Sequence, residues 1–262
     1  MVTNPIDDAI CDYLPSRVYA LFSGGNDSLA STHYSMNHGA DTVVHIDTGI
    51  GVDEHGGLSV IRFVKDTCKK YHWPLRIMRP PMMSYEEMVL KFGFPGPGAH
   101  RYPYSWLKER CIRQLVRESK RNRNDTVALC TGVRRSESAR RMGYVKPIYK
   151  VGGQVWVAPF FDQDKIYTLE YIRDHQLEVS PVVRLIGMSG ECFCGAFAKP
   201  KEFAITIQPN FPKLARKIAR LERKAQQCGV RNSIWGVRPR KNPKNLDLPF
   251  MPMCVNCHGS RT

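Results

Sequence analysis

Apolar and polar positions alternate from Arg17 to Phe22, with Val18, Ala20 and Phe22 on one face and Tyr19 and Leu21 on the other, which predicts a short buried strand. Leu29 to Asn37 follows with a helical pattern, and Gly39 is its stop. Between them lies Ser23-Gly24-Gly25-Asn26-Asp27-Ser28, a glycine-rich loop joining strand to helix. Asp41 to Asp47 (DTVVHID) is a near-continuous apolar run that ends in Asp47-Thr48-Gly49 and predicts a second strand. A helix over 57–71 (Leu58, Ile61, Phe63, Val64, Cys68) and a third strand over Pro74 to Met78 complete a β-α-β-α-β order. That order predicts an α/β fold with a doubly wound, mainly parallel sheet and ligands at the carboxyl ends of its strands.

Further along, Ser84 and Glu87 make a capping box for a helix reaching Phe92. Five of the eight residues from Gly93 to His100 are Gly or Pro, so this is a shaped loop, either a packing turn or a lid. Trp106 to Arg121 predicts a basic helix, and Thr126 to Val133 a fourth strand. Tyr144 to Lys150 and Gln154 to Ala158 predict a hairpin, Asp162 to His175 a helix, and 211–228 a helix with Asn210 as cap. Trp235 is a candidate for stacking on a base or for packing.

Composition adds partners and compartment. The 262 residues have 42% apolar content and no apolar run long enough to span a bilayer, so no membrane association is expected. The first residues lack a basic stretch followed by an apolar run, so no signal peptide is expected, and a cytoplasmic location follows as the default. Net charge is +15, and it is concentrated: residues 199–245 hold 13 Lys and Arg against 2 Asp and Glu, and residues 101–123 hold 8 against 2. Such basic regions suit nucleotides, DNA, tRNA or another acidic partner.

SGGNDS is neither a Walker loop nor a dinucleotide fingerprint. It resembles the PP-loop of the ATP pyrophosphatases, and the resemblance implies that Ser23, Gly24, Gly25, Asn26, Asp27 and Ser28 hold ATP phosphates with Mg²⁺. The resemblance sharpens after the fourth strand, where Gly132-Val133-Arg134-Arg135-Ser136-Glu137-Ser138-Ala139-Arg140 is similar to the signature of the phosphoadenosine phosphosulfate (PAPS) reductase family. That family includes DNA phosphorothioation sulfurtransferases with iron–sulfur clusters, to which this motif state is most similar. The implied nucleotide-binding set adds Asp47, Thr48, Gly49, Gly132, Arg134, Glu137 and Arg140. Asp27, Arg134, Arg135 and Lys108 are the candidate catalytic residues. The implied fold is Rossmann-like, of the adenine nucleotide α-hydrolase type, over residues 1–180, with a basic Cys-bound module over 181–262.

Nine cysteines, several closely paired, suggest ligands rather than disulfides. Cys192 and Cys194 form C-x-C, and Cys254 and Cys257 form C-x-x-C some 60 residues later. Spacing alone favours zinc; the family resemblance implies a 4Fe–4S cluster on these four instead. Cys11, Cys68, Cys111, Cys130 and Cys228 are expected to be small core residues. Three departures from a PAPS reductase proper stand out: Phe193 separates the first cysteine pair, the chain ends CVNCHGSRT without a Glu-Cys-Gly-Leu-His tail, and the phosphate loop is intact. They favour an enzyme that adenylates a substrate with release of pyrophosphate for sulfur transfer, with nucleic acid as acceptor and a sulfur-donor protein as partner. A thiol-dependent reductase of adenylyl sulfate or PAPS and a non-catalytic nucleic-acid-binding module are the alternatives. A homodimer is compatible with either enzyme.

Overall fold

The computed structural model describes residues 4–96, 98–137, 146–199 and 201–237. Six strands, β1 (Arg17–Leu21), β2 (Thr42–Ile46), β3 (Leu75–Met78), β4 (Val127–Cys130), β5 (Ile148–Val151) and β6 (Gln154–Val157), form one sheet in the order β3-β2-β1-β4-β6-β5. All neighbours are parallel except β5 and β6, which form the expected antiparallel hairpin at the edge. This is a mixed, mostly parallel α/β sheet of the Rossmann-like class, as the β-α-β order predicts. The order reverses between β1 and β4, so the crevice beyond their carboxyl ends is the topological switch point where open α/β sheets bind ligands. β4 is buried along its whole length, consistent with helices covering both faces.

Helices α1 (Pro5–Tyr13), α2 (Asn26–Asn37), α3 (Val60–Lys70) and α4 (Tyr85–Phe92) precede a composite helix. That helix is α5 (Arg101–Tyr104), a π-turn over Ser105–Glu109, and α6 (Arg110–Ser119), so it starts five residues before the expected Trp106. α7 (Lys165–Asp174), α8 (Pro181–Ile186), a second π-turn (Phe203–Ile207), α9 (Gln208–Asn210) and α10 (Pro212–Gln227) follow. The helix predicted over 57–71 opens only at Val60, because Ser59 is its N-cap and accepts the Arg62 N–H. The α4 capping box forms as predicted. Among the described residues no helix is long and apolar enough to cross a membrane.

One expectation is corrected near the C-terminal part, and two open alternatives are decided. Asn210 does not cap α10: its Nδ2 donates to Thr206 O, and the N–H groups of Lys213 and Leu214 go instead to the Glu54 carboxylate at 3.0 and 2.7 Å. A cap from 160 residues away cannot be read from local sequence. Trp235 is buried and donates through Nε1 to Phe193 O at 2.7 Å, so no face is left for a base. The stretch Gly93–Gly96 is also buried, with the Phe94 N–H on Asn232 O and the Tyr102 hydroxyl on Gly93 O, which makes it a packing turn and not a lid.

The expected division after residue 180 falls at the start of α8. Val182, Phe193, Phe211, Leu214, Ile218 and Trp235 lie in the same buried cluster as Phe22, Leu29, Val60 and Tyr85. α6 covers the opposite face of the sheet with Cys111, Ile112, Leu115 and Val116. Burial pushes the thiols of Cys68, Cys111 and Cys130 up to about 12, as inert core cysteines require. Cys11 and Cys228 are exposed, against the expectation that they fill the core; Cys228 caps the end of α10.

Candidate active site

The glycine loop follows β1 directly. Gly24 has a φ of +82°, and α2 opens at Asn26 with Gly25 as N-cap and no side-chain cap. Its first-turn N–H groups are therefore available to an anion, which the dipole of a twelve-residue helix also favours. Within the loop, Ser23 Oγ donates to Ser28 Oγ at 3.0 Å, and Ser28 Oγ donates to Gly25 O at 2.9 Å. Among the described residues the buried Asn26 Oδ1 finds no partner.

The segment after β4 packs onto this loop. A Cβ on Gly132 would stand 2.5 Å from Asp27 C and O and 2.7 Å from Ser28 N, so only glycine lets the two segments meet. Arg134, with 6% exposure, reaches across to Asp27, with Nε to Oδ1 at 2.9 Å and Nη2 to Oδ2 at 3.3 Å. It also donates to Ser136 Oγ and lies 3.7 Å from Glu137. Asp27 therefore spends both oxygens on Arg134, although sequence reasoning expects it to face phosphate or Mg²⁺. Arg135 turns away: it pairs with Asp162 at the surface and lies over the Phe161 ring. Gly132→Ala is expected to cost about 1–3 kcal/mol through overpacking. It should also weaken adenosine nucleotide binding roughly tenfold, which calorimetry would measure; unchanged affinity would mean that the close approach serves packing alone.

A cleft of about 110 Å³ opens at this switch point. Leu21, Val44, Ile46, Ile112 and Val133 make one part apolar, while Ser23, Ser28, Lys108 and Glu191 make another part polar. Lys108 lies in the first π-turn, a helix irregularity frequent at functional sites, and its Nζ pairs with Glu191 Oε2 at 2.6 Å. Glu191 is buried and was missed by sequence reasoning; the only local signal is a carboxylate beside the C-x-C pair. Thr48 donates to Glu191 O at 3.0 Å, while Asp47 is spent on Arg79 and the Gly49 N–H.

The C-x-C segment continues from Glu191 and is pinned by three elements. The Phe193 N–H donates to Ile50 O, the Trp235 indole to Phe193 O, and the Tyr85 hydroxyl to Cys194 O at 3.0 Å. The thiols of Cys192 and Cys194 lie within hydrogen-bonding reach, and that bond, followed by burial, pushes the Cys192 thiol up. Two adjacent thiols within reach of one another fit one side of a thiophilic metal site, where a cation would offset the cost of ionising Cys192. Cys254, Cys257 and Arg140, and the basic residues from Arg238 onward, lie outside the described residues. Among the described residues no three metal-ligating side chains converge.

The sheet order and its switch-point loops define an α/β protein of the mainly parallel, Rossmann-like class. Within that class, the chain belongs to the phosphoadenosine phosphosulfate reductase domain family, whose model matches residues 17–185. No curated relative matches the sequence. Among solved structures, phosphoadenylyl-sulfate reductase from Candida auris, in a phosphate complex, aligns with a TM-score of 0.51 at 18% identity, over 71% of this chain and 86% of that one. FMN adenylyltransferase from Candida glabrata aligns with a TM-score of 0.45 at 12% identity, over 69% and 56% of the two chains. The U34-tRNA thiolase of Methanococcus maripaludis with its 4Fe–4S cluster aligns with a TM-score of 0.38 at 15% identity, over 80% and 72%.

Proposed function

We propose that this PAPS reductase-family protein binds ATP at the Ser23–Ser28 loop, adenylates a substrate with release of pyrophosphate, and so prepares it for sulfur transfer. One juxtaposition carries the reading: Ser23 and Ser28 of an intact phosphate-type loop, Gly132 and Val133 of the arginine segment, and Glu191 at the start of the C-x-C segment line one cleft, with Arg134 held on Asp27 of that loop. The apolar part of the cleft suits a flat adenine base, and the polar part suits phosphate. A substrate oxygen attacks the α-phosphorus, the bond to the β-phosphate oxygen breaks, and pyrophosphate leaves. Sulfide-level sulfur from a donor protein then displaces AMP, so no electrons are gained or lost. Positioning and charge stabilisation do most of this work. First-turn N–H groups of α2, Ser23 and Ser28 bind phosphate, Arg134 offers charge-assisted contacts once it exchanges Asp27 for phosphate, and Lys108 faces the cleft. Mg²⁺ travels with the phosphates, and Asn26 Oδ1 is an oxygen at the loop with no partner among the described residues. Cys192 and Cys194, with Cys254 and Cys257, would hold a 4Fe–4S cluster, which supplies a thiophilic iron site when bound. The basic face of α10 supports nucleic acid as the acceptor.

Family membership favours a second reading, thiol-dependent reduction of adenylyl sulfate or PAPS. Anaerobically purified protein supplied with ATP, Mg²⁺, sulfide and nucleic acid is expected to release pyrophosphate and AMP. Supplied instead with PAPS and a dithiol, it is expected to release no sulfite. Sulfite without ATP-dependent pyrophosphate would reverse the order of the two readings.

A further inference from the structure

A second cavity, about 520 Å³ and separate from the nucleotide cleft, lies between the 51–53 loop and α10. Lys213, Arg216, Lys217, Arg220 and Arg223 line it, against Asp53 as the acidic residue. The row runs about 15 Å along the helix axis, from the rise per residue. Lys213 and Lys217 are tied down, on Asp53 at 3.0 Å and on Gly49 O. Arg216 and Arg223 are exposed and have no hydrogen-bond or carboxylate partner among the described residues. Arg220, also exposed, adds a small share to the effect of Lys224, whose hydrogen bond holds the Glu86 carboxyl below its usual range.

This charge does not serve the helix. Lys213 and Lys217, Arg216 and Arg220, and Arg220 and Lys224 are like-charge pairs at i,i+4, each of which destabilises a helix. Lys213 and Arg216 also stand at the positive end of its dipole. Glu222, which could relieve the repulsion, accepts the Trp235 N–H instead. A linear row suits a linear polyanion better than a single phosphate. The wall between the two cavities is thin: Gly51 lines the groove, and a Cβ there would stand 2.6 Å from the backbone O of Glu191, whose residue lines the nucleotide cleft.

We infer that this groove seats the sugar–phosphate backbone of a nucleic acid, with Arg216, Arg220 and Arg223 as phosphate contacts, and holds the strand beside the nucleotide cleft. The inference rests on nucleic acid as the acceptor. Because Trp235 is buried, recognition in the groove is through phosphate and independent of sequence. Fluorescein-labelled RNA and DNA oligonucleotides, titrated without ATP at several salt concentrations, test it. The wild-type protein is expected to bind with a steep log–log salt slope, and Arg216→Ala/Arg220→Ala/Arg223→Ala to bind more weakly with a slope reduced by about 3, one for each lost phosphate contact. Arg113→Ala/Arg117→Ala, on the exposed basic face of α6, should leave the slope unchanged. Circular dichroism and ATP affinity, measured without nucleic acid, check the fold and keep failure of the groove distinct from failure of the nucleotide site. RNA or DNA preference would name the sugar, and either supports the groove. An unchanged slope in the triple variant, binding of polyglutamate but no oligonucleotide, or no binding at low salt would each overturn it.

Discussion

Replacing Arg134 by alanine is expected to unfold the protein at a lower temperature and to weaken adenosine nucleotide binding on the order of a hundredfold. Its guanidinium is almost fully buried, makes a two-point contact with Asp27 and lies between that carboxylate and Glu137. Taking it away removes the cation on both oxygens of Asp27, a carboxylate that is mostly shielded from water. Breaking such a pair costs about 3 kcal/mol or more. For a domain of this size that is roughly 6–12 °C of thermal midpoint. Arg134→Lys is the informative companion. Lysine restores the charge but not the planar fork, so it should recover most of the midpoint and little of the affinity. A single contact contributes about 2–3 kcal/mol to binding, on the order of a hundredfold. Scanning calorimetry and nucleotide titration read both quantities. If the alanine variant loses the midpoint but keeps wild-type affinity, the bridge only fastens the segment after β4 to α2; if it matches wild type in both, the pair matters to neither. Arg135→Ala should leave the midpoint nearly unchanged, because its pair with Asp162 is half-exposed and such pairs contribute little.

The parts legible in the sequence are those fixed by local physics. The alternation from Val18 to Phe22, the Ser84–Glu87 capping box and the hairpin of β5 and β6 each act over a few residues, and each appears near where the pattern puts it, the hairpin with Val151 in the strand and Gly152-Gly153 as the turn. The glycine loop and the Gly132–Arg134 segment are legible as motifs, but their meeting is not. It depends on β4 lying beside β1 rather than beside β3, which no local pattern states. Glu191 is hidden for a related reason. Its backbone is placed by Thr48, its side chain by Lys108, and neither is within 80 residues. Helix α1 could have been read, since Asn4 caps it, Pro5 opens it and two aspartates sit in its first turn. Glu54 marks the limit: a carboxylate in a turn that caps a helix far along the chain leaves no sequence trace.

Replacing Cys192 or Cys194 by serine is expected to remove most of the iron from anaerobically purified protein and to abolish its visible absorption. The physical case lies in how firmly this pair is held. Ile50, Tyr85 and Trp235, from three separate parts of the chain, fix the backbone of Phe193 and Cys194 through bonds that use no thiol. Serine keeps nearly the same volume, so the three contacts should survive and the loss should fall on ligation. The apoprotein variants should therefore keep their far-ultraviolet dichroism and the Arg134–Asp27 midpoint, while residues 238–262 become accessible to protease. Cys254→Ser and Cys257→Ser should give the same spectrum, because one cluster needs both pairs. Cys228→Ser separates ligation from a general effect of losing a thiol: that side chain is exposed at the end of α10 and belongs to neither cysteine pair, so the iron content should equal wild type. Zinc would leave the wild-type protein colourless with one metal per chain, and would transfer the role of these cysteines from sulfur chemistry to tying the C-terminal segment to the sheet. In either case ATP should still bind, because the loop is held by its own bonds, from Ser23 to Ser28 Oγ and from Ser28 Oγ to Gly25 O.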